Sequence, residues 1–313
     1  MKRTLINGAL ALAVCACATD AEAATALETQ APPGFQIPAV VEIPAGPFVR
    51  GSDAAEREAA YRLDEAAYGH GLTRSQRWYE KEFQRGVART GRYWISRTPV
   101  TNGQYAAFIR ETGHAAPAMN RVTWESYRLV HPFDATSRFV WREVGASGDF
   151  APPRGRENHP VVLVSLDDAV AYAQWLSRRT GQHWRLPTEE EWEKAARGTE
   201  GWRFPWGDRF DPAHLNSADA GPEDTVAVGR SSPIASPFGL LDAAGQVYEW
   251  TATSSESGRY FVKGGSWDDR GCGVCRAAAR HTRQPDLRHV IIGFRLVRAP
   301  ADNSDHGLRQ SPR

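Results

Sequence analysis

Three segments of the chain place apolar residues at helical spacing directly after a Ser or Thr that can cap a helix. In each segment the side chain three residues after the cap can return a hydrogen bond to it, which is the capping-box arrangement. The pattern predicts three amphipathic helices. The first begins at Thr101-x-x-Gln104 with Tyr105, Phe108 and Ile109 on one face, the second at Ser165-x-x-Asp168 with Leu166, Ala169, Val170, Ala173 and Leu176, and the third at Thr188-x-x-Glu191 with Trp192, Ala195 and Ala196.

Strand patterns are short and separated by long irregular stretches. Residues 40–52 predict strands around the turn Pro44-Ala45-Gly46, and residues 261–265 and 291–297 each predict one short strand. Between 198 and 275 the remaining chain shows no periodicity, because Gly, Pro, Asx and aromatic residues dominate it. The pattern therefore favours a small amount of sheet within much ordered coil.

Two charged stretches are expected on solvated surfaces. Residues 53–90 form a charged, helix-permissive insert, and the acids 189–191 suit the positive end of the third helix dipole. We expect the acids 189–191 to serve capping and solvation rather than catalysis.

The amino-acid composition is typical of a soluble globular protein. The 313 residues carry a formal charge of +1 and show no long run of like charge, which argues against a nucleic-acid surface or a polybasic membrane anchor. Eleven tryptophans are many for this length, and aromatic side chains bury large areas. We expect one domain over 38–300, held together by aromatic residues.

The N-terminal residues match an export signal. Lys2 and Arg3 precede an apolar stretch from Leu5 to Ala18, and Ala21-Glu22-Ala23 fits a small-x-small cleavage site. The expected parts are a signal peptide over 1–23, a flexible leader over 24–37 and a polar tail over 301–313. Lipid attachment at Cys17 is the alternative to simple cleavage. Both alternatives predict a periplasmic or secreted protein, and no other segment is apolar enough to be transmembrane.

Six blocks occur in an order that identifies a family: HPVVLVSLDDAVAYAQWLSRRTG, WRLPTEEEWEKAARG, FPWGD, FGLLDAAGQVYEW, VKGGSW and IIGFRLV. Together they resemble the formylglycine-generating-enzyme, or sulfatase-modifying-factor, superfamily. The resemblance covers roughly residues 38–298. It implies an α+β fold of the C-type-lectin-like variant, with small antiparallel sheets and few helices. The long insert and the export signal look most like the periplasmic PvdO-like branch.

The resemblance draws attention to the segment GGSWDDRGCGVCRAAAR, residues 264–280, which is called the cysteine loop below. Catalytic relatives hold copper with two cysteines after the Gly-Gly-Ser motif. Here Asp269 stands where the first is expected, while the second can be placed on Cys272 and Cys275 follows at a different spacing. The two thiols are therefore either a redox or copper-binding pair or a structural disulfide. The further candidate site residues are Ser266, Trp267, Arg280 and His281. We expect Arg280 to pair with Asp268 or Asp269, and Trp267 to be a structural residue rather than one that stacks on substrate. His281 is a low-ranked candidate for a general base.

The resemblance also implies calcium. The block DAAGQVYEW matches a family calcium site at Asp242, Gly245, Val247 and Glu249, whose oxygen ligands suit that ion. The alternative is that Glu249 only hydrogen-bonds the backbone of an ordered loop. A weaker second site is expected at Asn216 and Ser217, completed by Asp219 or Asp224.

These observations predict an exported, oxygen-dependent oxidoreductase. Its substrate is expected to be a small secreted molecule of the siderophore-precursor (pyoverdine-like) class, ahead of a sulfatase cysteine converted to formylglycine. A non-catalytic ligand- or protein-binding module is the remaining alternative, because one fold hosts many functions. The iron-dependent branch is excluded, since none of the nine histidines has a partner four residues away.

Overall fold

The computed structural model describes residues 35–127, 131–144, 149–231 and 234–300. The predicted signal peptide, most of the leader and the polar tail lie outside the described residues. Within them, no helix is long and apolar enough to cross a membrane.

Six α-helices are present in the described part of the chain, and the three predicted from capping boxes are confirmed. Thr101, Ser165 and Thr188 each make the reciprocal cap hydrogen bonds. Two of these three helices end at a glycine in the left-handed conformation, Gly113 and Gly181, where a residue without Cβ carries no steric penalty. The helices are α1 (Ala54–Tyr68), α2 (Leu72–Ser75), α3 (Asn102–Thr112), α4 (Arg121–Ser126), α5 (Leu166–Thr180) and α6 (Glu189–Arg197).

Twelve short strands in the described residues form two four-stranded sheets and two two-stranded sheets. The first sheet has the order β1-β4-β12-β7 and the second β10-β9-β8-β11, while β2 pairs with β3 and β5 with β6. Every pairing is antiparallel except that of β11 with β8. The strands are β1 (Val40–Ile43), β2 (Gly46–Arg50), β3 (Gly86–Thr90), β4 (Tyr93–Ser96), β5 (Arg142–Val144), β6 (Asp149–Ala151), β7 (Trp184–Arg185), β8 (Tyr248–Ser254), β9 (Tyr260–Lys263), β10 (His281–Arg283), β11 (Ile292–Gly293) and β12 (Val297–Arg298).

Aromatic residues occupy the centres of the core, as predicted. Trp192 packs with Tyr93 and Ile95 of the first sheet in one cluster, and Trp124 packs with Trp267 in a second cluster. The α+β class with small antiparallel sheets is confirmed. These two clusters set α6 and the cysteine loop in fixed positions relative to the sheets.

The insert over 53–90 is helical over residues 54–68 and 72–75 and largely exposed, as expected, but part of it is buried. Its residues 86–90 form strand β3, and Glu56, Asp64 and Glu82 are buried. Arg276 of the cysteine loop pairs with both Glu56 and Glu82, which explains how these acids tolerate burial. One face of helix α1 therefore lies against the cysteine loop, while its opposite face remains exposed to solvent.

A close backbone approach makes this contact possible. A Cβ added to Gly273 would lie 2.6 Å from the Asp64 carboxylate and 2.9 Å from the backbone oxygen of Ala60. Only glycine lets the cysteine loop approach α1 so closely.

Candidate functional site

The two cysteines of the cysteine loop are bonded to each other and are inaccessible. Cys272 and Cys275 form a disulfide with Cα atoms 4.8 Å apart, and both residues are 0% exposed. Gly265 packs its backbone directly onto the Cys275 sulfur, while α1 covers the loop from the other side. This arrangement favours the structural-disulfide alternative over a redox or copper-binding pair.

The residues as arranged do not fit a copper ion. Sulfurs joined in a disulfide offer no thiolate, which is the ligand that monovalent copper prefers. Among the described residues there is also no cluster of three or more His, Cys, Asp or Glu side chains suited to a metal.

Asp269 is the most chemically distinctive group beside the disulfide. Its Oδ2 accepts hydrogen bonds from the backbone N–H and the hydroxyl of Ser266, at 2.8 and 2.9 Å. The Tyr248 hydroxyl, like the Ser266 hydrogen bonds, favours the charged form of this carboxylate and so opposes a rise in its pKa. Burial nevertheless dominates and raises the pKa of Asp269 to about 6. A carboxyl group with such a pKa can exchange a proton near neutral pH.

Three residues that the sequence did not single out surround Asp269. Tyr248 of β8 contacts its carboxylate, and Tyr68 at the end of α1 accepts a hydrogen bond from the backbone N–H of Arg270. His131 lies 2.9 Å from the neighbouring Asp268, with its Nε2 facing an Asp268 oxygen outside hydrogen-bond geometry. Tyr68 is 38% exposed, so this side of the site reaches solvent. Tyr248 stands within the quoted DAAGQVYEW block, whereas nothing local marked Tyr68 or His131.

Arg280 and His281 are not placed as the sequence suggested. Arg280 pairs with Glu189 at 2.6 Å rather than with Asp268 or Asp269, and Glu189 is itself buried rather than solvated. Burial lowers the pKa of His281 to about 3, with Arg283, Lys263 and Arg276 adding repulsion. His281 is thus a weak base, which agrees with its low ranking as a candidate general base.

Trp267 is a buried core residue. It packs with Trp124 and Phe139 and donates its indole N–H to the backbone oxygen of Val290. This placement fits the structural interpretation rather than substrate stacking.

The first predicted calcium site does not fit a calcium ion as arranged. Both carboxylate oxygens of Glu249 accept from Arg295 at 2.6 Å, and one also accepts from Trp192 at 2.6 Å. Asp242 accepts from the backbone N–H of Gly229 and the hydroxyl of Ser231, and burial raises its pKa. The Arg295 guanidinium thus supplies next to Glu249 the positive charge that a calcium ion would provide. The other two predicted ligands, Gly245 and Val247, lie in the same segment of the chain.

The second predicted site is incomplete for the same kind of reason. The Asn216 Oδ1 atom is buried without a hydrogen-bond partner. Asp219 and Asp224 do lie beside the site, since the Ser217 hydroxyl donates to Asp219 at 3.2 Å and the Asn216 amide donates to the backbone oxygen of Asp224 at 2.8 Å, but both carboxylates also have other partners. Asp224 pairs with Arg156 at 2.8 Å, and Asp219 accepts from the backbone N–H of Gly271 at 2.9 Å. The residues near Asn216 therefore do not fit calcium in this arrangement.

Comparison with known proteins agrees with this architecture. A family model described as the sulfatase-modifying factor enzyme 1-like domain matches residues 25–300. The formylglycine-generating enzyme of Streptomyces coelicolor is 32% identical over 254 residues, which cover 66% of this chain and 77% of that enzyme. The inactive C-alpha-formylglycine-generating enzyme 2 of Mus musculus is 30% identical and covers 84% of this chain and 86% of its own.

A solved structure shows the same fold. PvdO from Pseudomonas aeruginosa superposes with a TM-score of 0.59 at 23% identity, covering 84% of this chain and 95% of that one. At this identity the similarity concerns the fold alone. The matched proteins thus include named enzymes and a relative named as inactive.

Proposed function

The chain belongs to the sulfatase-modifying factor enzyme 1-like family, and from that membership we propose that it is an exported oxidoreductase that oxidises a small secreted molecule with molecular oxygen. The observation that carries the proposal is Asp269. It stands where the family resemblance expects the first copper cysteine, and it has a pKa of about 6. The site thus offers a proton acceptor suited to neutral pH in place of a thiolate.

The proposed substrate class rests on the resemblance to the PvdO-like branch, and the chemistry of Asp269 is compatible with it. A dihydroxyaryl siderophore precursor of the pyoverdine type is electron-rich and loses two protons and two electrons when it is oxidised. Molecular oxygen accepts both electrons and two protons and leaves as hydrogen peroxide, so the reaction balances. Asp269 takes one proton from a substrate hydroxyl, which makes the aryl group easier to oxidise. Ser266 holds the Asp269 carboxylate in place for that transfer through its backbone N–H and its hydroxyl.

Export is part of the same proposal. The basic start, apolar stretch and small-x-small site within residues 1–23 support secretion. A secreted location would also keep the Cys272–Cys275 disulfide oxidised. Lipid attachment at Cys17 and simple cleavage are distinguished by the mass of the mature N-terminal peptide.

Oxygen consumption and peroxide formation with a dihydroxyaryl precursor test the activity. We expect Asp269→Asn to lower kcat by at least about 100-fold, which is the usual contribution of a positioned base. The exposed Asp286→Asn serves as the matched control and should leave kcat unchanged. Peroxide formation that is equal in both variants would overturn the role of Asp269.

A non-catalytic binding module is the second candidate. The covered disulfide favours it, because the thiol chemistry of the family is inaccessible here. Saturable binding of the precursor without oxygen consumption would support this function, while turnover that depends on Asp269 would exclude it.

A further inference from the structure

An open groove of about 550 Å³ lies beside the β8–β9 hairpin, away from the residues assigned to the reaction. Four hydroxyl side chains and two cations line it, with Phe261 contributing an apolar patch and Glu256 the one acidic group. Hydroxyls and cations together are the side chains that recognise oxyanions. The six polar residues are Lys81, Ser254, Ser255, Ser257, Arg280 and Thr282.

Arg280 is held rigidly at this groove. Its guanidinium lies 4.1 Å from the ring centre of Phe83 and 3.8 Å from that of Phe261, so aromatic rings stack on it. It donates to Glu189 and to the backbone oxygen of Lys81, and its side chain is only 11% exposed. Its Nε atom is buried without a hydrogen-bond partner, so the donor capacity of Arg280 is not exhausted.

Glu189 must balance a second buried cation as well. The Lys263 ammonium is 0% exposed and lies 3.5 Å from a Glu189 oxygen, and neither atom has a hydrogen-bond partner in the described residues. Arg280 and Lys263 therefore share a single carboxylate. One positive charge remains without a counter-charge in a buried place, which is energetically costly. The low pKa of the adjacent His281, lowered in part by Lys263, agrees with a positive local potential.

Lys81 adds a charge at the exposed rim. It makes no ion pair within the ranges that the structure describes, and its side chain is exposed. We propose that this groove binds an oxyanion, a carboxylate or phosphate group of a small ligand, between Lys81 and Arg280. The serine and threonine hydroxyls donate to the anion, and Phe261 packs against the apolar part of the ligand. The bound anion offsets the positive charge shared by Arg280 and Lys263.

Calorimetric titration with inorganic phosphate and, separately, with succinate tests the site and identifies its preferred group. We expect at least one of the two anions to bind, and Lys81→Met to weaken that binding about tenfold by removing one charge-assisted contact. Glu256→Gln should strengthen it, because it removes the negative charge that lines the groove. Arg92→Met removes an exposed positive charge elsewhere and should leave binding unchanged.

Two results would overturn the site. Absence of binding by both anions would do so, and so would equal weakening by Lys81→Met and Arg92→Met, which would indicate only a general charge effect. These variants lie on the surface, so folding is not at issue; Arg280 and Lys263 are left intact because their removal would strand Glu189. Since the titration requires no turnover, its result is independent of the oxidoreductase proposal.

Discussion

Gly273 donates its backbone N–H to the Asp64 carboxylate at 2.9 Å, and this bond holds the cysteine loop against helix α1. The hydroxyl of Tyr79 donates to the other oxygen of the same carboxylate. Asp64 therefore links helix α1 both to the segment around Tyr79 and to the cysteine loop. In a buried setting, each of these donors depends on this one acceptor.

Removal of this acceptor should destabilise the protein. Asp64→Ala leaves the Gly273 N–H and the Tyr79 hydroxyl buried without a partner, and we expect a loss of about 3 kcal/mol in the free energy of unfolding. Urea denaturation monitored by tryptophan fluorescence measures it. Arg62→Ala on the exposed side of α1 is the control and should change stability by less than about 0.5 kcal/mol. Equal stabilities of the two variants would show that α1 is not held through Asp64.

The disulfide should contribute to stability rather than to turnover. Replacing both Cys272 and Cys275 by Ala opens a very short loop, and chain entropy predicts a loss of about 2 kcal/mol. Oxygen consumption by the folded double variant should remain within about twofold of the wild type, because Asp269 and Ser266 are retained. Loss of turnover at unchanged stability would instead restore the cysteines as reactive groups.

The local part of the fold was predictable from the sequence. The caps Thr101, Ser165 and Thr188 act within four residues of themselves, so their hydrogen bonds can be anticipated from spacing alone. The position of α1 could not be anticipated in this way. Its contact joins Asp64 to Gly273 across 209 residues, and a run of charged residues gives no sign that some of them are buried.

The candidate site shows the same division. The resemblance directed attention to Asp269, but its raised pKa results from burial, which outweighs the opposing effect of the hydrogen bonds from Ser266. The calcium prediction relied on the spacing of Asp242 and Glu249. That spacing gives no sign that Arg295, 46 residues further along, donates to both oxygens of Glu249.

Chelation should therefore have little effect on stability. We expect the melting temperature to change by less than about 1 °C when EDTA replaces calcium, whereas a bound ion at a hundredfold excess over its Kd would add about 2.7 kcal/mol. Glu249→Gln should cost about 3 kcal/mol with or without calcium, because Arg295 loses its buried counter-charge. Differential scanning calorimetry measures both effects. A calcium-dependent rise in the melting temperature that Glu249→Gln abolishes would establish the ion.

Stability should also depend on pH through Asp269. Its pKa is about 6 in the folded protein against 3.8 ordinarily, so between these values the folded state retains a proton that the unfolded state has released. The free energy of unfolding therefore falls as pH rises from about 4 to about 6, by about 2 kcal/mol after allowance for partial exposure.

Urea denaturation at several pH values isolates this contribution by comparing the wild type with Asp269→Asn. The variant carries no titrating group at this position, so the difference between the two proteins should change across pH 4 to 6 and level off above pH 7. Asp286→Asn, on the surface, should keep the wild-type slope. If Asp269→Asn keeps that slope too, the carboxyl titrates normally, and the proton acceptor proposed for the reaction loses its physical basis.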